Sequence, residues 1–124
     1  MQTPRHMILL YVSNPLNSLK FYETILGTKA IDQAPSFAML PFNDATILGL
    51  WIENGVKPTA SAKAGATELG FHVEDRAAVD STFDRWKSEG VAMVLDPAKL
   101  DFGYTFVGVD PDGHRLRVFT PEEP

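Results

Sequence analysis

The sequence predicts an α+β fold in which one βαβββ module is used twice. Three observations carry this reading. The order strand, helix, three strands runs through residues 7–52 and again through residues 67–119, and residues 53–66 form a linker without hydrophobic periodicity, rich in Ala, Lys, Gly and Pro. Each helix opens on a polar cap and closes on glycine, Asn14 to Gly27 in the first module and Asp75 to Gly90 in the second. The modules also match in pattern: Leu10-Tyr11-Val12-Ser13-Asn14 against Phe71-His72-Val73-Glu74-Asp75, and Leu48-Gly49-Leu50-Trp51 against Leu116-Arg117-Val118-Phe119.

Residues 1–6 are a short lead-in. Met7–Val12 is apolar and β-prone throughout, as in a strand covered on both faces. Pro15 follows Asn14 at the first helical position, where its missing N–H costs nothing. Leu16, Leu19, Phe21, Tyr22, Ile25 and Leu26 then recur at helical spacing. Thr28–Asp32, Ser36–Pro41 and Ala45–Ile52 are the next expected strands, with turns at Ala34-Pro35 and Asn43-Asp44. In the second module, strand Thr67–Val73 precedes a helix over residues 76–89 that carries Val79, Phe83 and Trp86 on one stripe. Val91–Leu95, Tyr104–Val109 and Arg115–Phe119 are the last three strands. Before the final one, Asp110-Pro111-Asp112-Gly113-His114 reads as a tight turn: Pro111 sets φ, the Asp side chains can accept from nearby backbone N–H groups, and Gly113 permits positive φ.

Composition narrows the function classes. A chain of 124 residues is one domain's worth, with 44% apolar and 22% charged residues, ordinary values for a globular protein. A net charge of −5 argues against a nucleic-acid surface, which needs clustered Lys and Arg. The absence of Cys removes disulfides, thiolate metal sites and Cys nucleophiles. No apolar run approaches the roughly 20 residues that cross a bilayer, and no signal segment is visible, so no membrane partner and a cytoplasmic location are expected.

Period-two alternation sorts each strand into two faces. One set is apolar: Ile8, Leu10 and Val12; Leu48, Leu50 and Ile52; Leu69, Phe71 and Val73; Leu116 and Val118. It is expected to pack under the helices. The other is mixed: Met7, Leu9 and Tyr11; Ile47, Gly49 and Trp51; Glu68, Gly70 and His72; Arg115, Arg117 and Phe119. Aromatic and apolar groups with a few charges are what a small-molecule pocket carries.

The duplicated βαβββ order, the Asp110–His114 turn and the Phe102-Gly103-Tyr104-Thr105-Phe106 run before it resemble the vicinal-oxygen-chelate superfamily of glyoxalases, bleomycin-resistance proteins and dioxygenases. The resemblance covers nearly the whole chain. It implies an open barrel completed in a homodimer, with the mixed face lining the cavity. It also places Met7, Gly49, Glu68 and Arg117 where enzymes of the superfamily hold a divalent metal. Met and Gly offer no hard donor, Arg is a permanent cation, and only Glu68 could ligate. His72 lies four strand residues from Glu68, about 13 Å along the strand. No metal and no cofactor are therefore expected. Glu68 and Arg117 should instead form an ion pair, because the strands that carry them are neighbours in this fold. Such pairing leaves Glu68 a weak candidate for a catalytic base.

The motifs Leu10–Asn14, Leu50-Trp51, Phe102-Gly103, Thr105-Phe106 and Asp110–His114 are most similar to the metal-free antibiotic-binding branch, notably phenazine-resistance proteins. That similarity implies a ligand-binding protein that sequesters a planar aromatic antibiotic or toxin. The candidate ligand-contacting residues are Trp51, Met7, Leu9, Gly49, Phe37, Met39, Glu68, Tyr104, Phe106, Arg117 and Phe119. Alternation alone leaves open which residues of the third and seventh strands face inward. Two other readings remain: a metal-independent lyase, isomerase or dioxygenase-family enzyme using Glu68, and an interaction protein that shares only the fold.

Overall fold

The computed structural model describes residues 6–123. It holds two compact units that divide between Ala64 and Gly65. In the first, β1 (His6–Val12) leads to α1 (Pro15–Leu26), β2 (Asp32–Gln33), β3 (Phe37–Asn43) and β4 (Thr46–Ile52), followed by one 3₁₀ turn at Glu53–Gly55. The sheet order is β1-β4-β3-β2, with β1 parallel to β4 and the other pairs antiparallel. The parallel pair needs a long crossover, which α1 and the β2–β3 segment supply.

α1 starts and stops for local reasons. The Asn14 side chain accepts the Asn17 N–H at 3.1 Å, and Pro15 holds the first helical position. At the other end Gly27 adopts φ 71° and donates its N–H to the Glu23 carbonyl. That left-handed closure favours glycine. The helix lies on β3 and β4. Leu19, Tyr22 and Ile25 of α1 are buried with Leu10, Val12, Ala38, Leu40, Leu48 and Leu50 of the sheet. Alternation assigns Leu10, Val12, Leu48 and Leu50 to this side, while Ile8 and Ile52 of the same expected set are only partly buried.

The second unit repeats the plan: β5 (Glu68–His72), α2 (Arg76–Ser88), β6 (Ala92–Leu100), β7 (Gly103–Val109) and β8 (Arg115–Pro121), in the order β5-β8-β7-β6 with β5 parallel to β8. The Asp75 side chain accepts the Ala78 N–H at 2.9 Å and caps α2. α2 lies on β6, β7 and β8, where Val79 and Trp86 are buried with Phe106, Leu116 and Val118. The turn into β8 is built around Asp110. Its Oδ1 accepts the N–H groups of Asp112 and His114, and its Oδ2 lies 2.7 Å from His114 Nδ1, with both side chains buried. A buried carboxylate with this many donors holds the turn firmly.

Two strands differ most from expectation. The expected strand Thr28–Asp32 reduces to Asp32–Gln33. The backbone before it is held by side chains instead: Glu23 accepts the Ala30 N–H at 2.9 Å, and Thr28 Oγ1 donates to the Pro41 carbonyl at 2.8 Å. The expected strand Val91–Leu95 starts at Ala92 and continues through Pro97 to Leu100. Proline is tolerated there because β6 is an edge strand, and the register shifts between Leu95 and Ala98. No helix among the described residues is long and apolar enough to cross a membrane.

Candidate functional site

In the first unit, Met7, Leu9 and Tyr11 of β1, Ile47, Gly49 and Trp51 of β4, and Phe37 and Met39 of β3 share the sheet face turned away from the buried set. Register puts Gly49 opposite Leu9 on one side and Met39 on the other. A cleft of about 420 Å³ opens on this face, lined by Met7, Leu9, Phe37 and Trp51. That volume lies in the ordinary range for small-ligand sites, roughly 300–1,000 Å³.

Gly49 lies buried beneath the side chains that line the cleft. A Cβ there would lie 2.6 Å from Leu9 Cδ2, 3.3 Å from Phe37 Cζ and 3.5 Å from Met7 Sδ. The missing side chain is what lets three apolar groups close around the point. Phe37 meets Trp51 edge to face, with centroids 6.2 Å apart at 86°. Met7 and Leu9 remain 46% and 42% exposed, unusual for residues of this size on a strand. The cleft is thus an apolar ring-sized slot with one indole wall and no charged group.

In the second unit, Glu68, Gly70 and His72 of β5 share a face with Arg115, Arg117 and Phe119 of β8. Arg117 stands opposite Gly70 and reaches diagonally to Glu68: Nε donates to Oε2 at 2.8 Å and Nη2 to Oε1 at 3.3 Å. The ion pair that the resembled fold implies is present. These hydrogen bonds, aided by the charges of Arg117 and Arg115 against a smaller burial penalty, hold the Glu68 carboxyl below the ordinary carboxylate range. A proton acceptor so stabilised is a poor general base at neutral pH.

The same shift fixes a sign. Because the folded-state value is depressed, the pair's contribution is present at neutral pH and fades as pH falls through that value. Glu68 is 41% exposed, so the contribution is at most about 1 kcal/mol. Urea titrations of wild type and Glu68→Gln should differ at pH 7 and converge below the carboxylate range. A difference that grows on acidification would contradict the pairing.

Tyr104 and Phe106 do not join these faces. Phe106 pairs with Val118 and is fully buried, edge to face with Phe83 and Trp86 of α2. Tyr104 shares its parity and points to the helix side, donating its hydroxyl to Asp80 at 2.8 Å beneath the Arg76 guanidinium. Thr105 and Val107 take the other face of β7, opposite Phe119 and Arg117. Phe102 and His72 belong instead. His72 stacks on Phe119 at 5.3 Å and 13°, and Phe102 meets Phe119 edge to face at 6.4 Å. His72 was legible from its parity with Glu68; Phe102 lies in a turn, where alternation carries no signal.

A divalent metal does not fit these residues. The first unit brings Met7 and Gly49, which have no oxygen or imidazole donor. The second brings one carboxylate whose two oxygens are engaged by a guanidinium. Among the described residues no three His, Cys, Asp or Glu side chains gather as a metal site would require.

Two four-stranded mixed sheets, each with a helix from a repeated βαβββ order, define a glyoxalase-type fold. The chain belongs to the Glyoxalase/Bleomycin resistance protein/Dioxygenase superfamily, whose sequence profile matches residues 5–118. It is 31% identical over 113 residues to the phenazine antibiotic resistance protein EhpR of Enterobacter agglomerans, covering 89% of this chain and 86% of that one. Among solved structures, a protein from Agrobacterium tumefaciens determined by solution NMR is 45% identical, with a TM-score of 0.83 over 98% of this chain and 99% of that one. A glyoxalase/bleomycin resistance protein/dioxygenase from Nocardioides shares the fold at 19% identity, with a TM-score of 0.81 over 99% of this chain and 87% of that one.

Proposed function

We propose that this protein binds planar aromatic small molecules and sequesters them, as a resistance protein against an aromatic antibiotic or toxin. The observation that carries the reading is the uncharged cleft lined by Met7, Leu9, Phe37 and Trp51, in which the two aromatic rings meet edge to face. Flat ring systems gain most from such walls, because stacking adds to the burial of apolar area. The similarity to a phenazine antibiotic resistance protein supports the same ligand class. The depressed Glu68 carboxyl supports binding over base catalysis.

The test is a titration with phenazine. Saturable quenching of tryptophan fluorescence at micromolar concentration is expected. No binding of phenazine-like or quinone-like rings below millimolar concentration would overturn the reading.

The binder is further proposed to act as a homodimer. Met7 and Leu9 leave apolar surface open on β1, one of the two edge strands of its sheet, and edges of this kind are normally covered. Sedimentation at micromolar concentration should give twice the 13.7 kDa chain mass. A species of single-chain mass alone would count against the dimer.

A further inference from the structure

Of the four methionines, Met1 lies outside the described residues, and Met39 and Met93 are half-buried. Met7 is different. It is 46% exposed, and it lines the apolar cleft with Leu9, Phe37 and Trp51. Its sulfur stands 3.5 Å from where a Cβ on Gly49 would lie, so the thioether bends over the neighbouring strand β4.

Two properties meet at this sulfur. A thioether is soft and apolar, which suits contact with the body of a flat ring. It is also readily oxidised to a sulfoxide, which is polar and a strong hydrogen-bond acceptor. Among the four lining side chains only the Trp51 indole carries a donor. That donor sits at the other end of the strand: Nε1 is 3.9 Å from where a Cβ on Gly55 would lie, whereas Met7 pairs with Ile47. A sulfoxide at Met7 would find no partner inside the cleft, and a ring bound against it would bury an unsatisfied acceptor.

We infer that Met7 is a modification site through which hydroperoxides release the ligand: oxidation of its thioether to the sulfoxide empties the cleft, and reduction restores it. The inference rests on the reading of the cleft as the site for planar aromatics and adds a control to it. In the oxidation the sulfur attacks one oxygen of the peroxide, the O–O bond breaks and an S–O bond forms. Hydroxide leaves, takes the proton from the transferred oxygen and becomes water, so sulfur is oxidised as the peroxide is reduced. Methionine sulfoxide reductases reverse the step. Ligand and peroxide reach Met7 from the same side, so a dimer that admits the one admits the other.

The experiment treats the full chain with hydrogen peroxide at pH 7.5, follows each methionine by peptide mass spectrometry, and measures phenazine affinity by calorimetric titration. Met7 should gain oxygen before Met39 and Met93, and saturating phenazine should slow that gain. Affinity should fall about five- to tenfold, the order expected when a polar group is buried without a partner. Treatment with methionine sulfoxide reductases of both epimer specificities should restore it, which separates the effect from damage to Trp51. Met7→Leu should show one affinity before and after peroxide. Earlier oxidation of Met39 or Met93, undiminished phenazine binding by Met7-oxidised protein, or a loss that persists in Met7→Leu overturns the inference and leaves the planar-aromatic reading standing. Failure of the untreated protein to bind phenazine overturns the two together.

Discussion

Replacing Trp51 with alanine is expected to weaken phenazine binding by about 10–30-fold while leaving the chain folded. The indole supplies one wall of the cleft, so its removal forfeits stacking of about 0.5–1.5 kcal/mol. It also forfeits the apolar area it covers, at roughly 25 cal/mol per Å². Together these reach or exceed the ~1.4 kcal/mol that corresponds to tenfold. Stability should change little by comparison, because Trp51 is half-buried and its ring contact is the edge of Phe37. Calorimetric titration checks the affinity, and thermal unfolding of the same variant checks the fold. An unchanged affinity would show that the cleft is not where the ring binds.

Trp86→Ala should do the opposite, costing about 3–5 kcal/mol of stability, the range for deleting a large buried aromatic. Trp86 is 2% exposed and makes edge-to-face contacts with Phe71 at 5.4 Å and Phe106 at 5.5 Å. Its ring joins α2 to two strands of the sheet, and alanine would leave a void none of them can fill without moving. Trp86→Phe is the informative control. The Trp86 Nε1–H is buried without a hydrogen-bond partner among the described residues, so phenylalanine loses volume but no polar interaction. It should cost well under half as much as alanine in urea unfolding. A phenylalanine variant as unstable as the alanine one would show that the indole nitrogen makes a bond the core depends on.

The residues that bear on function were legible in the sequence to the extent that their placement is local. Asn14 and Asp75 cap the helices they precede, because a cap needs only backbone N–H groups two or three residues on. Alternation along single strands assigned Leu10, Leu48, Leu50, Leu116 and Val118 to the buried side. The family of the chain was legible in its repeated order and its Asp110–His114 turn, and it was the resemblance to that family, which makes their strands neighbours, that placed Glu68 and Arg117 together. Pairing between strands is a different matter. Tyr104 and Phe106 alternate with Thr105 and Val107, which are equally suited to a strand, so the chain alone does not say which pair faces α2. Only the register of β7 on β8 decides it, by setting Phe106 against Val118 in the buried layer and Val107 against Arg117. Likewise the strand expected to stop before Pro97 continues, because β6 lies at an edge where a missing N–H breaks no ladder bond. Periodicity reports which residues share a side, and caps report where a helix begins. Which side meets which neighbour depends on contacts far apart in sequence, and these exist only once the sheet has formed.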